Sequence, residues 1–343
     1  LSKAQVDAFI VSRPENIFYL CGFSGTTATL VVASDRAILV TDFRYVERAR
    51  EEVSEVEVES AKDITIGLIN IMSDLSTKSA AFESHFVSYD TYRRLEGKLS
   101  SIKLKPVSKE VEKFRQIKDS EEQALMTQAA KISSAAFSHI VPFLRPGVTE
   151  KEIAIELLTF MHREGAEREA FDVIVASGVR SAMPHAKTSA KEISPGDFVT
   201  IDLGVAYQGY YSDMTRTFVV GRASEKQRTI YELVREAQAL ALDSISSGKT
   251  GEEVDKICRD YLDKAGYGEY FLHGLGHGVG LEVHENPLVG PKGKETLQPG
   301  MVFTVEPGLY IPGFGGVRIE DMVILKEEGI EVLTKFSREM VEL

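Results

Sequence analysis

Hydrophobic positions change their rhythm along this chain. Between residues 6 and 84 they come as short apolar runs, VDAFIVS, ATLVVAS, AILVTD and AAFES. Runs of that length bounded by polar residues predict strands, and polar helical stretches such as Tyr45 to Glu52 separate them. The alternation predicts an α/β sheet domain over residues 1–117. The charged stretch SKEVEKFRQIKD leads out of it, and Ser120 with Gln123 then forms a capping-box start for a long helix. A boundary near Lys118 follows, with a second domain over 118–343. The chain opens on Leu1 within what reads as the end of a helix, so a few native residues are expected to precede it.

The second domain repeats itself. Gly147-Val-Thr-Glu-Lys-Glu-Ile and Gly248-Lys-Thr-Gly-Glu-Glu-Val share one pattern, a capping box followed by an apolar-periodic helix that ends at Gly165 or Gly266. Pro195-Gly196 precedes Asp202 as Pro299-Gly300 precedes Glu306, at the same interval. Each half therefore reads as helix, helix, then strands carrying two acids. An old duplication with two halves facing each other across a pseudo-two-fold axis would bring both acid pairs to one site.

Those acids lie in glycine-punctuated, strand-like segments: Asp202 in IDLG, Asp213 in YYSDMTRTF, Glu306 in TVEPGLY and Glu320 in GVRIED, with His277 in HGLGHGVGLEVHE. An unpaired carboxylate facing a core costs several kcal/mol or stays protonated. Four converging acids therefore need cations. Two divalent metals balance the four charges, and the imidazole adds a neutral ligand, which is the pattern of a two-metal hydrolase. Hairpin pairing around Tyr207-Gln208 would set Asp202 opposite Asp213, and pairing around Gly313 would set Glu306 opposite Glu320. Directly opposed residues share a sheet face with Cβ atoms about 4.5 to 5.5 Å apart, so a shared cation explains the placement of like charges. Glycines at 274, 276, 278 and 280 permit tight backbone near an ion and argue against a helical zinc-protease motif. One histidine there is expected to ligate and the others to stay free for proton work, joined by His185. His85, His139 and His162 read as surface or packing residues.

Composition narrows the partners. A net charge of −12 over 343 residues argues against nucleic acid or an anionic membrane as partner. No apolar run reaches the length of a membrane span and no charged-then-apolar leader precedes the first strand, so the protein is expected to be cytoplasmic. Cys21 and Cys258 are too few for a disulfide framework and read as buried thiols.

The ordered segments SGVRSAMPHA, TIDLG, SDMTRT, HGLGHGVGLEVHE, TVEPGLY and GVRIED resemble the Xaa-Pro peptidase family, the aminopeptidase P and prolidase branch of the pita-bread metallopeptidases. NIFYLCGFSG, from Asn16 to Gly25, is similar to that family's N-terminal domain motif, so the likeness spans the chain. The resemblance implies an α/β N-terminal domain and an α+β pita-bread catalytic domain with internal pseudo-two-fold duplication. It implies that Asp202 chelates one metal, His277 and Glu306 hold the other, and Asp213 and Glu320 bridge both. His185, His273 and His284 match outer-shell histidines. Two divalent ions are expected, with Mn(II) suited to a carboxylate-rich set and Co(II), Fe(II) or Zn(II) tolerable.

A water held between the metals would attack the scissile carbonyl, with Glu306 as proton acceptor and His284 and His185 hydrogen-bonding the carbonyl and oxyanion. His273 is expected to shape or orient the pocket. Arg318 would orient substrate or pair with a ligand carboxylate, and Thr215 and Thr217 would supply supporting hydroxyls. The implied substrate is a proline-containing peptide cut after its N-terminal residue, and the implied assembly a homodimer. A methionine aminopeptidase would use the same five ligands, but the N-terminal domain and the GVRIED form favour the proline branch. A binding protein on the same fold would generally have lost ligands. Some prolidases similar to this sequence carry an arginine four residues after the second histidine, where it can hold a dipeptide's carboxylate. Here that position is Leu288, so peptides of Xaa-Pro-Yaa form are expected to be cleaved at least comparably to Xaa-Pro dipeptides, strict dipeptidase activity being the alternative.

Overall fold

The computed structural model describes residue 1 and residues 5–343, in two compact units, Leu1–Arg115 and Gln116–Leu343. The helix end expected near Leu1 falls mostly on residues 2–4, outside the described residues.

The first unit runs β1 (Ala8–Val11), α1 (Pro14–Cys21), β2 (Ala28–Ala33), β3 (Ala37–Thr41), α2 (Val46–Glu52), β4 (Glu57–Ser60), α3 (Ile64–Asp74), β5 (Ser79–Glu83), α4 (Tyr89–Lys98), β6 (Lys103–Val107) and α5 (Glu112–Arg115). Its strands form one sheet in the order β4-β3-β2-β1-β5-β6, with β1–β2 and β2–β3 antiparallel and the other pairs parallel. This is the α/β sheet that the apolar runs predict. His85 bonds Glu112 here and, among the described residues, joins no group of metal-ligating side chains.

The second unit begins with α6 (Ser120–Ile140), α7 (Glu150–Arg163), β7 (Arg168–Glu169), β8 (Ile174–Ser177), β9 (Phe198–Leu203), β10 (Val205–Tyr207), β11 (Tyr210–Tyr211) and β12 (Met214–Val219). It continues with α8 (Glu225–Ser244), α9 (Gly251–Lys264), β13 (Gly276–Gly278), β14 (Glu285–Val289), β15 (Val302–Val305), β16 (Gly308–Ile311), β17 (Gly315–Arg318), β18 (Asp321–Leu325) and β19 (Ile330–Val332). The α6 cap is Asp119 with Glu122, one residue before the predicted Ser120 and Gln123. The Asp119 carboxylate accepts from the amides of Glu121 and Glu122, while the Gln123 side chain donates instead to the Lys118 carbonyl.

The duplication is visible bond by bond. Thr149 with Glu152 and Thr250 with Glu253 both form capping boxes. Gly147 N–H donates to Ile193 O as Gly248 N–H does to Leu297 O, and Gly196 N–H donates to Val220 O as Gly300 N–H does to Leu325 O. In each half two helices cover one face of a sheet. Val199, Ile201 and Leu203 of β9 pack with α6 and α7, while Phe303 and Val305 of β15 pack with α8 and α9. Because side chains alternate along a strand, Thr200, Asp202 and Thr304 point to the other face. The apolar positions thus aim the polar ones at the site.

The β9–β12 register differs from the predicted one. Asp202 lies opposite Thr215, not Asp213, because the turn is Gln208-Gly209, one residue later than expected. Both turn residues have positive φ, 46° and 81°, the two-residue hairpin conformation that favours glycine at its second position. Moving the pairing by two residues preserves the face, so Asp213 becomes a diagonal neighbour of Asp202. Around Gly313 the predicted register is present: Gly308 pairs with Arg318 and Val305 with Asp321, which aligns Glu306 with Glu320 between them. The glycines near His277 serve strand packing rather than an ion. A Cβ on Gly276 would sit 2.0 Å from Thr304 O, and one on Gly278 would sit 2.2 Å from Asn286 O.

Candidate metal centre and substrate pocket

Only Asp202 and His277 of the five predicted ligands lie inside strands. Asp213, Glu306 and Glu320 sit where ladders are interrupted, between β11 and β12, β15 and β16, and β17 and β18. At these breaks the backbone turns to other partners: Glu306 N–H donates to Leu275 O, Glu320 N–H to Thr215 O, and Asp213 N–H to Met322 Sδ. The five side chains converge on a cavity of about 820 Å³ that His185, His273, His284, Tyr310 and Arg318 also line. Ligand atoms of Asp213, His277 and Glu320 lie within 4.8 Å of one another, and His277 Nε2 is 3.2 Å from Glu306 Oε1 and 3.6 Å from Asp213 Oδ2.

The electrostatics are those of a buried acid cluster. Burial pushes the Asp202 carboxyl up, with Arg318 partly opposing it. Asp213 and Glu320 are pushed well above the ordinary carboxylate range, first by burial and then by neighbouring acids. Glu306 is the exception at about 2: burial acts to raise it, but the hydrogen bond and charge of His277 outweigh this. Burial likewise acts to lower His277, and contact with Glu306 reverses it. His277 Nδ1 faces Gly278 O at 3.1 Å, so that nitrogen carries the proton donated to the carbonyl and Nε2 is left facing the acids. Asp202 Oδ1 is buried with no hydrogen-bond partner. An orphaned carboxylate oxygen, acids held above their usual range and an imidazole nitrogen aimed among them form a donor set that fits divalent cations.

A second line of side chains holds this set. Arg318 Nη2 donates to Asp202 Oδ2 at 2.6 Å, Nε donates to Thr215 Oγ1 at 3.0 Å, and Nη1 donates to Tyr310 Oη at 3.0 Å. Arginine only donates, so the Tyr310 hydroxyl gives its own proton to His273 Nε2 at 2.9 Å, and His273 Nδ1–H donates to Gly274 O. Both His273 nitrogens are committed, and burial lowers its pKa. Its ring holds the Tyr310 hydroxyl in place. Arg318 thus pairs with the Asp202 carboxylate, and its side chain is only 5% exposed. Thr215 donates to Glu320 Oε2 at 2.6 Å and Thr217 to Arg318 O at 3.1 Å. Among the described residues, His185 and His284 make no hydrogen bond to protein; burial and the neighbouring His277 lower His284.

The family model for metallopeptidase family M24 matches residues 124–327, and that for the creatinase/prolidase N-terminal domain matches residues 1–117. An Xaa-Pro dipeptidase of Pyrococcus horikoshii is 40% identical, covering 99% of this chain and 96% of its own length. The chain belongs to the Xaa-Pro peptidase family of M24 metallopeptidases. Among solved structures, an Xaa-Pro dipeptidase from Bacillus anthracis is 43% identical with a TM-score of 0.97, covering 100% of this chain and 96% of that one. An X-Pro aminopeptidase from Thermotoga maritima is 39% identical with a TM-score of 0.93, covering 98% of each chain. The protein is a metallo-exopeptidase acting on peptides with divalent metal ions, and the pita-bread fold with its creatinase-type N-terminal domain is the family's own.

Several residues of this Xaa-Pro peptidase site escape sequence reasoning. Tyr310 was within reach: the Gly313 hairpin register places it diagonal to Arg318, with Gly316 opposite leaving room for its ring. Thr304 Oγ1 accepts from His277 N–H at 3.0 Å and donates to Glu306 Oε1 at 3.1 Å. Glu150 is less legible. It is fully buried at the start of α7 and accepts from the N–H and Oγ of Ser177, the N–H and Oγ of Ser189, and Nε of Arg180, fastening both ends of the loop that carries His185. Asp255 of α9 does the corresponding work for His273, accepting from Leu275 N–H and from Arg259, which also donates to His273 O.

Proposed function

We propose that this protein hydrolyses the bond preceding proline in Xaa-Pro substrates, dipeptides and longer peptides alike, with two divalent cations held by Asp202, Asp213, His277, Glu306 and Glu320. The convergence of these side chains on one cavity, with an orphaned Asp202 oxygen among them, carries the reading. In it Asp202 would hold one ion, His277 and Glu306 would hold the other, and Asp213 and Glu320 would serve both. The carboxylate-rich donor set favours Mn(II), with Co(II), Fe(II) or Zn(II) as replacements. The ions supply a water acidified toward neutrality and polarise the scissile carbonyl. Glu306, its Oε1 held by Thr304, takes the attacking water's proton. His284 and His185 donate to the carbonyl oxygen as it becomes an oxyanion. Arg318 and Tyr310 keep Asp202 aimed inward, and the His185 loop, tied down by Glu150, walls the pocket.

A bond before proline is a tertiary amide without an N–H, so its recognition rests on shape. Phe171, Val173, Ile174, Pro184, Ala186 and Leu288 give the pocket an apolar wall suited to a pyrrolidine ring. Relatives named as a dipeptidase and as an aminopeptidase support both substrate lengths. We assign residues 1–117 to the N-terminal domain, residues 118–343 to the catalytic domain, and the solution state to a homodimer. The free thiols Cys21 and Cys258 suit a reducing, cytoplasmic setting. A metal-reconstituted panel of Xaa-Pro dipeptides, Xaa-Pro-Yaa tripeptides and a Met-Ala-Ser control tests the reading. Turnover confined to the proline substrates is expected, and turnover of the control alone would overturn it.

A further inference from the structure

A dipeptide carries a free carboxylate close to the scissile bond, and the floor of this pocket offers it no unengaged cationic side chain. Asp202, Asp213, Glu306 and Glu320 lie there and would already balance the two divalent ions, so the substrate's carboxylate calls for a further cation placed away from them. Two positions that look suitable do not serve. Leu288 is apolar, and every nitrogen of the Arg318 guanidinium already donates, to Thr215, Tyr310, Pro184 O and Asp202.

Lys187 lines the same pocket. Its side chain is exposed and, among the described residues, makes no hydrogen bond or ion pair, Asp172 on the same rim included. Its backbone is fixed. Arg180, held by Glu150, donates to Lys187 O. Thr188 Oγ1 donates to Val173 O at 2.8 Å and accepts from Val175 N–H at 2.9 Å, and Ala186 N–H donates to Met183 O at 3.1 Å. A rigid mount two residues from His185 therefore presents an unengaged ammonium at the rim. A zwitterionic dipeptide whose carboxylate meets Lys187 has its reacting carbonyl directed toward the metal-binding side chains.

We propose that Lys187 binds the free carboxylate of Xaa-Pro dipeptides and sets the preference of this enzyme between dipeptides and substrates lacking that charge. The proposal rests on the Xaa-Pro reading above. Its test compares Lys187→Met, Lys187→Arg and the unaltered enzyme, each metal-loaded with metal content measured, on an Xaa-Pro dipeptide and its C-terminal amide. In Lys187→Met the ratio of kcat/KM for the dipeptide to that for the amide should fall about tenfold, mainly through the dipeptide's KM, as loss of one charge-assisted hydrogen bond predicts. Lys187→Arg should restore most of that ratio. The dipeptide's KM should also rise with ionic strength in the unaltered enzyme and much less in Lys187→Met. A ratio unchanged by Lys187→Met, or one lowered equally by Lys187→Arg, would overturn the proposal. If the unaltered enzyme cleaves neither substrate, the Xaa-Pro reading itself fails, an outcome distinct from an unchanged ratio.

Discussion

Asp213 and Glu320 hold protons in the folded, metal-free chain that the unfolded chain gives up, because burial first and neighbouring acids second push their carboxyls well above the ordinary range. A raised carboxyl contributes its stability fully below the ordinary pKa of about 4 and loses it as pH rises toward the raised value. Cations that replace those protons reverse the trend. The melting temperature gained on adding metal should therefore grow as pH is raised from the ordinary carboxylate range toward neutrality, with protons released on loading. A gain that shrinks over this window would contradict the assignment. At the same scale, Asp213→Asn or Glu320→Gln should lose bound metal together with turnover. His284→Ala should keep both ions and lose roughly a hundredfold in kcat, the usual scale for one oxyanion donor. Elemental analysis separates these cases, and a metal-free His284→Ala would show His284 to be a ligand. The acids and histidines were legible in sequence because glycine and β-branched neighbours mark them. Glu150 was not, since its donors lie 27 to 39 residues away and nothing local signals them.

Elements explain why the acids can meet. The interruptions that free Glu306 and Glu320 leave peptide groups without ladder partners, and helix and strand side chains supply them. Gln238 of α8 shares its amide among Val305 O, Ile319 O and Asp321 Oδ2 at 3.0 to 3.1 Å. Arg216 of β12 donates to Thr215 O and Glu320 O, and pairs with the buried Asp321 at 2.7 Å. Gln238→Leu would remove the side-chain donor to Val305 O and Ile319 O, at about 1 to 3 kcal/mol for each one left buried without a partner, while Asp321 Oδ2 keeps Arg338. It should lower the melting temperature and weaken metal affinity together. Calorimetry with a metal titration checks this, and an unchanged affinity would show that the breaks hold their shape without Gln238. Sequence periodicity located these strands and aligned Glu306 with Glu320. It centred the other hairpin one residue early, because apolar alternation does not reveal which residue adopts positive φ; Gly209, after Gln208, was the local sign. The α6 cap was displaced for a similar reason, two polar residues competing for one role.

For the whole molecule, duplication is the organising fact of the second unit. Each half supplies two acids from its strands or the breaks between them, and one capped helix whose buried acid, Glu150 or Asp255, ties down a histidine-bearing loop. No helix among the described residues is long and apolar enough to cross a membrane. The four site acids bring like charges together in a folded interior, so cations that bind only the folded form stabilise the chain by mass action. A metal titration of chelated protein, followed at once by melting temperature, bound-metal analysis and Xaa-Pro hydrolysis, tests the account most directly. Activity and melting temperature should rise together and level off at two bound ions per chain. Full activity and an unchanged melting curve in protein verified to be free of metal would contradict it.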